Sequence, residues 1–245
     1  MREGLASDID GTLCFPDLKK TDLEAIQEFQ KEGYLFGLCS GRSQRGVLDL
    51  FPKNISPDFY IAATGSIIYN KNKEIIYEKT IDFKTVEKLY QSYKNQSIIV
   101  FVTDSDYIYK TDFEGFEDFD REEVKVIKDL NEIKNHKFYG VSLVLESEEI
   151  ASQLCQELNK LFQGIKGFQN RDSIDIVHIE CSKGKAILKI KELFHIKKIS
   201  AIGDSFNDIS MLKAADQSFT FHNALIEADI RVDSVANAIH TIMKK

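Results

Sequence analysis

Asp8-Ile9-Asp10-Gly11-Thr12 is the stretch whose reading decides the fold. It follows Gly4-Leu5-Ala6-Ser7, a short apolar-leaning run that reads as a buried strand. Two carboxylates two residues apart, then a glycine and a hydroxyl, put acid groups at the mouth of that strand. In an open α/β sheet the carboxyl ends of the strands are where ligands bind. Aspartate is depleted in strand interiors, so a pair here needs a reason. Taken alone, the pentapeptide reads equally as a polar turn signalled by Asp-Gly and as a metal or catalytic site. Later segments separate the two.

Working outward, the elements alternate in type. Thr21-Asp22-Leu23-Glu24 matches a capping box with Thr21 as N-cap and predicts a helix to about Glu32, ended by Gly33. Residues 34–39 are almost continuously apolar, the pattern of a strand buried on both faces of a parallel sheet. That strand stops at Ser40-Gly41-Arg42-Ser43, before a short helix over 44–50, which completes a βαβ start. Residues 59–63 are a third strand ending in Thr64-Gly65-Ser66, and 67–69 and 74–77 flank a hairpin turn at Asn70-Lys71-Asn72-Lys73.

The texture changes near residue 80. A helix over 83–93 leads into strands 98–102 and 107–110, read as an antiparallel pair. The acidic run 112–123 reads as a solvated loop. A strand over 138–145, a helix capped by Ser147 and reaching 162, and strands 165–168 and 174–179 follow. This block, 80–178, reads as α+β, inserted between two parts of an α/β domain at 1–79 and 179–245. The α/β pattern resumes with a helix over 185–195 and a buried strand over 198–202 that runs into Gly203-Asp204-Ser205-Phe206-Asn207-Asp208. A helix with Ile209, Met211 and Leu212, a strand over 218–221 and a closing helix capped by Ser234 complete the chain.

The chain's 245 residues, 43% hydrophobic, are enough to bury a core. A net charge of −7 disfavours nonspecific binding to nucleic acid or anionic membranes. No run of 18 or more apolar residues exists, and the N-terminus carries no signal-peptide pattern, so a cytoplasmic location is expected. Cys14, Cys39, Cys155 and Cys181 fit neither a zinc site nor a disulfide framework and read as reduced thiols.

Polar groups now mark several element ends: Asp8 and Asp10, Ser40, Lys183 before a helix, and Asp204 with Asn207 and Asp208. In a parallel sheet such ends share one edge. Carboxylates and small hydroxyls suit Mg²⁺, a hard cation that prefers oxygen ligands. A lysine and a hydroxyl beside it suit a phosphate. Together they amount to phosphoryl-transfer equipment.

Asp8-Ile9-Asp10-Gly11-Thr12 resembles the first motif of the haloacid dehalogenase-like superfamily. Leu38-Cys39-Ser40-Gly41-Arg42 resembles its second, in the form of the Cof-type (subclass IIB) sugar phosphatases. Ser182-Lys183-Gly184-Lys185-Ala186 resembles the third and Gly203-Asp204-Ser205-Phe206-Asn207-Asp208 the fourth. The resemblance covers the whole chain in order. It implies an α/β fold, with a Rossmann-like parallel-sheet core domain and the α+β block inserted as a cap domain. It also implies roles. Asp8 is the nucleophile that forms an aspartyl-phosphate, and Asp10 is the acid and base. Mg²⁺ is held by the Asp8 side chain, the Asp10 main-chain carbonyl and Asp204, with Asp208 in the same metal set and Asn207 supporting it. Ser40, the Gly41 amide, Lys183 and Asn207 bind phosphoryl oxygens, with Lys185 as the alternative lysine. Arg42 and Thr64 reach the substrate; many relatives carry asparagine where this chain has Thr64. The cap chooses the leaving group, and Arg171, Asp172 and His178 near the returning hinge are candidates for that task.

The expected activity is a Mg²⁺-dependent phosphatase of small phosphorylated metabolites, sugar phosphates or similar esters. Two alternatives stand beside it: a phosphomutase of the same superfamily, and a non-catalytic phosphosugar sensor. The expected partner is a small phosphorylated metabolite, with no nucleic acid and no membrane, and the chain is expected to be a monomer or weak homodimer.

Overall fold

The computed structural model describes residues 2–14, 17–51, 56–94, 98–111 and 124–244. The acidic run at 112–123 lies outside the described residues. The chain opens with β1 (Glu3–Ser7), α1 (Lys20–Lys31), β2 (Leu35–Cys39), α2 (Gln44–Leu48) and β3 (Phe59–Ala62). A hairpin of β4 (Ile67–Asn70) and β5 (Ile75–Glu78) follows, then α3 (Phe83–Tyr93). Next come β6 (Ile99–Thr103), β7 (Ile108–Thr111), β8 (Val124–Ile127), β9 (Gly140–Val144), α4 (Glu148–Leu161), β10 (Ile165–Asn170) and β11 (Ser173–His178). The remainder is α5 (Lys183–Leu193), β12 (Lys198–Ile202), α6 (Ile209–Ala214), β13 (Gln217–Phe221), β14 (Ile230–Val232) and α7 (Val235–Met243).

Two sheets result. The first has eight strands in the order β14-β13-β12-β1-β2-β3-β4-β5, parallel from β14 to β3, with β4 and β5 antiparallel at one edge. The strand order runs one way from β1 to β3 and the other way from β12 to β14. The switch point therefore falls between β1 and its neighbours, where an open α/β sheet forms its crevice. The second sheet has the order β10-β11-β9-β6-β7-β8 and lies in sequence between β5 and α5. It is antiparallel apart from the β7–β8 pair. The chain is thus a mixed α/β protein with a parallel-sheet core.

Both faces of the first sheet are covered, which is why its strands read as unbroken apolar runs. Leu5 faces a core with Ile26 and Phe29 of α1 and Ile239 of α7. Its neighbour Ala6 faces the opposite core, with Ile187 and Ile190 of α5 and Met211 of α6. Each large apolar side chain so buried contributes about 1.5–3 kcal/mol. The second sheet has its own core, with Leu89 of α3 and Leu158 of α4 over Val141, Leu143 and Ile176.

Two expected helix starts are displaced. Thr21 is not an N-cap: α1 begins at Lys20 behind Lys19, whose carbonyl accepts the amides of Asp22 and Leu23. The buried Asp22 carboxylate accepts from the Ala236 amide at 2.8 Å, so the apparent capping box at α1 supplies an anion to the N-terminus of α7. The helix expected from 185 begins at Lys183, because the Ser182 hydroxyl caps it by accepting the Lys185 amide at 3.0 Å. Lys183 therefore sits in the first turn of α5, with its side chain directed inward.

Candidate active site

Three loops meet at the carboxyl edge of the first sheet. After β1, the Asp8 amide donates to the Ile202 carbonyl of β12 at 3.0 Å, which anchors the start of the first loop. The chain then doubles back, with the amides of Thr12, Leu13 and Cys14 all donating to the Ile9 carbonyl. Gly11 takes φ +83°, and a Cβ there would stand 2.5 Å from Asp204 Oδ2. Glycine lets the loops after β1 and β12 touch. Thr12 Oγ1 closes that contact by donating to Asp204 Oδ1 at 2.7 Å. Within the loop after β12, Asp208 Oδ2 accepts the amides of Asp204 and Ser205, both at 3.1 Å. The third loop follows β2: the Ser40 amide donates to Ile61, and its carbonyl accepts from Thr64.

Lys183 joins the loops after β1 and β12. Its Nζ lies 2.6 Å from Asp8 Oδ1 and 2.6 Å from Asp208 Oδ1, and the whole group is buried. The neighbouring carboxylates hold the ammonium well above its usual pKa despite burial. Burial and the Asp208 carboxylate push the Asp8 carboxyl up to about 8, against the pull of Lys183. Burial also raises Asp204. Lys185, the alternative lysine, points away and donates to the Ile179 carbonyl at 3.1 Å.

Carboxylate oxygens of Asp8, Asp204 and Asp208 lie within 4.8 Å of one another. One buried lysine serves two of these three acids. Asp204 bonds a neutral hydroxyl and, among the described residues, has the Arg171 guanidinium no nearer than 3.9 Å, with Lys183 acting on it from farther off. An all-oxygen, under-neutralised donor set of this kind fits a hard divalent cation.

Asp8, Asp10, Ser40, Gly41, Arg42 and Asn207 line a cavity of about 340 Å³. The structure therefore brings these six expected site residues together. Arg42 grips Asp10 with two hydrogen bonds, at 2.8 and 2.5 Å. The opposite wall comes from the second sheet, through Arg171, Asp172 and Asp175 among others. Arg171 also borders a second cavity, of about 370 Å³, beside Phe206 and Leu225. His178, offered with Arg171 and Asp172, does not line the first cavity; its Nδ1 accepts the Glu180 amide in the returning hinge. Thr64 takes a left-handed φ of +53° and touches not the cavity but Asp175, at 3.5 Å.

Asp175 is one of the lining residues that sequence reasoning missed, with Asn170 and Ser173 beside it. It sits in the apolar run Ile174-Asp175-Ile176-Val177 of β11 and is buried. An aspartate inside an apolar strand is the same anomaly that singled out Asp8.

A family model for haloacid dehalogenase-like hydrolases matches residues 5–240. A 5-amino-6-(5-phospho-D-ribitylamino)uracil phosphatase of Bacillus subtilis is 21% identical, over 90% of this chain and 84% of the relative. A phosphoglycolate phosphatase of Sulfurisphaera tokodaii is 28% identical, over 90% of this chain and 81% of the relative. The solved structure of a haloacid dehalogenase subclass IIB sugar phosphatase superposes with a TM-score of 0.82 at 19% identity, covering 98% of this chain and 99% of that one. That last likeness shows the fold. Among the described residues, no helix is long and apolar enough to cross a membrane.

Proposed function

The chain belongs to the haloacid dehalogenase-like hydrolases, of the Cof type, and is a phosphatase-type enzyme; on that premise we propose that it hydrolyses small phosphorylated metabolites, sugar phosphates or similar esters, through an aspartyl-phosphate at Asp8. The observation that carries this reading is the buried Asp8 carboxylate, pinned through Oδ1 by Lys183 at the wall of a polar cavity.

The chemistry follows from what each group can do. Lys183 fixes the rotation of Asp8 and leaves Oδ2 to attack phosphorus. A bond from Asp8 to phosphorus forms as the bond from phosphorus to the leaving alcohol breaks, and Asp10 protonates the departing oxygen. Asp10, now a carboxylate, takes a proton from water. The water oxygen attacks phosphorus, which releases phosphate and returns the Asp8 carboxylate. Arg42 holds Asp10 by both oxygens and so aims it. The Ser40 hydroxyl, the Gly41 amide, Lys183 and Asn207 bind the phosphoryl oxygens, where charge builds in the transition state.

Asp8, Asp204 and the Asp10 main-chain carbonyl would hold Mg²⁺. Asp208 spends its oxygens on Lys183 and on two amides, so it shapes this shell from behind. When bound, the cation offsets repulsion between Asp8 and the anionic ester and templates in-line attack.

The test is phosphate release from a panel of phosphate monoesters with Mg²⁺, run beside Asp8→Asn. Release by the wild type alone is expected. A folded wild type that releases nothing from any ester would move the reading to a mutase or a phosphosugar sensor.

A further inference from the structure

Asp175 has no part in the chemistry above, yet it stands in the cavity wall opposite the nucleophile. It reaches the first sheet from the second: a Cβ on Gly41 would lie 2.8 Å from Asp175 Oδ2. The carboxylate is thus packed against the loop that carries the phosphate-binding amide. Its hydrogen-bond partners are neutral, and the buried Lys183 ammonium acts on it through space. Ser142 Oγ donates at 3.1 Å, Thr64 Oγ1 at a long 3.5 Å, and the Asn170 side chain also bonds to it. A carboxylate offers about four lone-pair positions, so a further acceptor position is open to a ligand in the cavity.

The surroundings select the donor. Arg42 and Arg171 line the same cavity and disfavour a cationic leaving group, while Asp175 and Asp172 disfavour a second anionic group. A neutral skeleton bearing hydroxyls satisfies both constraints. We infer that Asp175 is a specificity-determining residue, whose carboxylate accepts a hydrogen bond from a hydroxyl on the carbon skeleton of the leaving alcohol. The inference rests on the hydrolase reading.

The experiment compares kcat/KM for ribitol 5-phosphate and n-pentyl phosphate, two monoesters of one chain length that differ in hydroxyls, with Mg²⁺ present. The wild type should prefer the polyol ester by at least about 10²-fold, because a site built to bond a hydroxyl rejects the analogue lacking it. Asp175→Ala should lower kcat/KM for the polyol ester about 10- to 100-fold, mainly through KM. It should leave the alkyl ester within about threefold, so that selectivity collapses. Asp175→Asn, which keeps an acceptor oxygen, should retain part of the preference.

A wild type that hydrolyses both esters equally would overturn the inference and leave the hydrolase reading standing. An Asp175→Ala variant that slows both esters by one factor would also overturn it, since a contact that merely joins the two sheets acts in that way. Should Asp175→Ala fail to fold, Ser142→Ala removes the donor that orients the carboxylate; an unchanged ester ratio in that variant counts against the inference. A wild type that cleaves no ester at all refutes the hydrolase reading itself, and the inference with it.

Discussion

Replacing Lys183 by methionine keeps most of the side-chain volume and removes the charge. Nζ of Lys183 holds two buried carboxylates at 2.6 Å each, and all three residues are buried. Removing one member of a buried ion pair costs about 3–5 kcal/mol, because the partner charge stays behind. For a chain of this size about 1 kcal/mol is worth 2–4 °C of melting temperature. Lys183→Met should therefore lower Tm by roughly 6–20 °C near pH 8. The loss should shrink near pH 5. Asp8 is raised from 3.8 to about 8 in the folded protein, so its contribution is intact below about pH 4 and declines as pH rises through about 8. Without the lysine that pulls it down, Asp8 protonates over a still wider range, and the acid side of that range hides the damage. Thermal melts of metal-free wild type and variant at the two pH values, followed by circular dichroism, read both effects. Lys185→Met is the control, since among the described residues that lysine's ammonium bonds an exposed carbonyl in the hinge and no carboxylate. A loss under about 1 kcal/mol near pH 8, or an equal loss at both pH values, would refute the reasoning.

Asp10→Asn should lower turnover by about 10²–10⁴-fold, the usual worth of a positioned acid and base; steady-state kinetics showing a change of only a few fold would reassign that role. Mg²⁺ should raise the melting temperature of the wild type more near pH 8 than near pH 5, since Asp8 and Asp204 are both raised by burial and must lose protons to bind it; an equal shift at both pH values would contradict the donor set. Gly11→Ala puts a side chain on a backbone at φ +83° and 2.5 Å from Asp204 Oδ2. It should cost about 1–2 kcal/mol for the left-handed backbone and abolish the Mg²⁺-dependent thermal shift, whereas a shift of wild-type size would show that this approach does not shape the metal site.

Much of the fold was legible because parallel strands buried on both faces read as continuous apolar runs; residues 35–39 and 198–202 are examples. The polar groups at their ends pointed to one edge, where the structure gathers Asp8, Ser40 and Asp204. Shorter or mixed elements left little periodicity: β8 is Val124-Lys125-Val126-Ile127 with two exposed positions, and β14 is three residues around Arg231. The Thr21 capping box failed because Asp22 serves a helix more than 200 residues away, a partnership that local pattern cannot register. Asp175 was overlooked for a related reason: its partner Thr64 lies in the turn after β3 of the first sheet and Ser142 in β9 of the second, so its position becomes informative only once the two are brought together. Lys183 and Lys185 lie about half a helical turn apart, and the Ser182 cap that starts α5 two residues early turns the first inward and the second toward the hinge.

The central claim is that Asp8 carries the phosphoryl group. Its most direct test is to quench the Mg²⁺-loaded enzyme during turnover, reduce it with borohydride and sequence the peptides by mass spectrometry, because an acyl phosphate at an aspartate is reduced to homoserine. Homoserine at position 8, present only with substrate and absent from Asp8→Asn, is the predicted result. Phosphate release at full rate with an unmodified Asp8 and no reducible acyl phosphate in the chain would contradict the account.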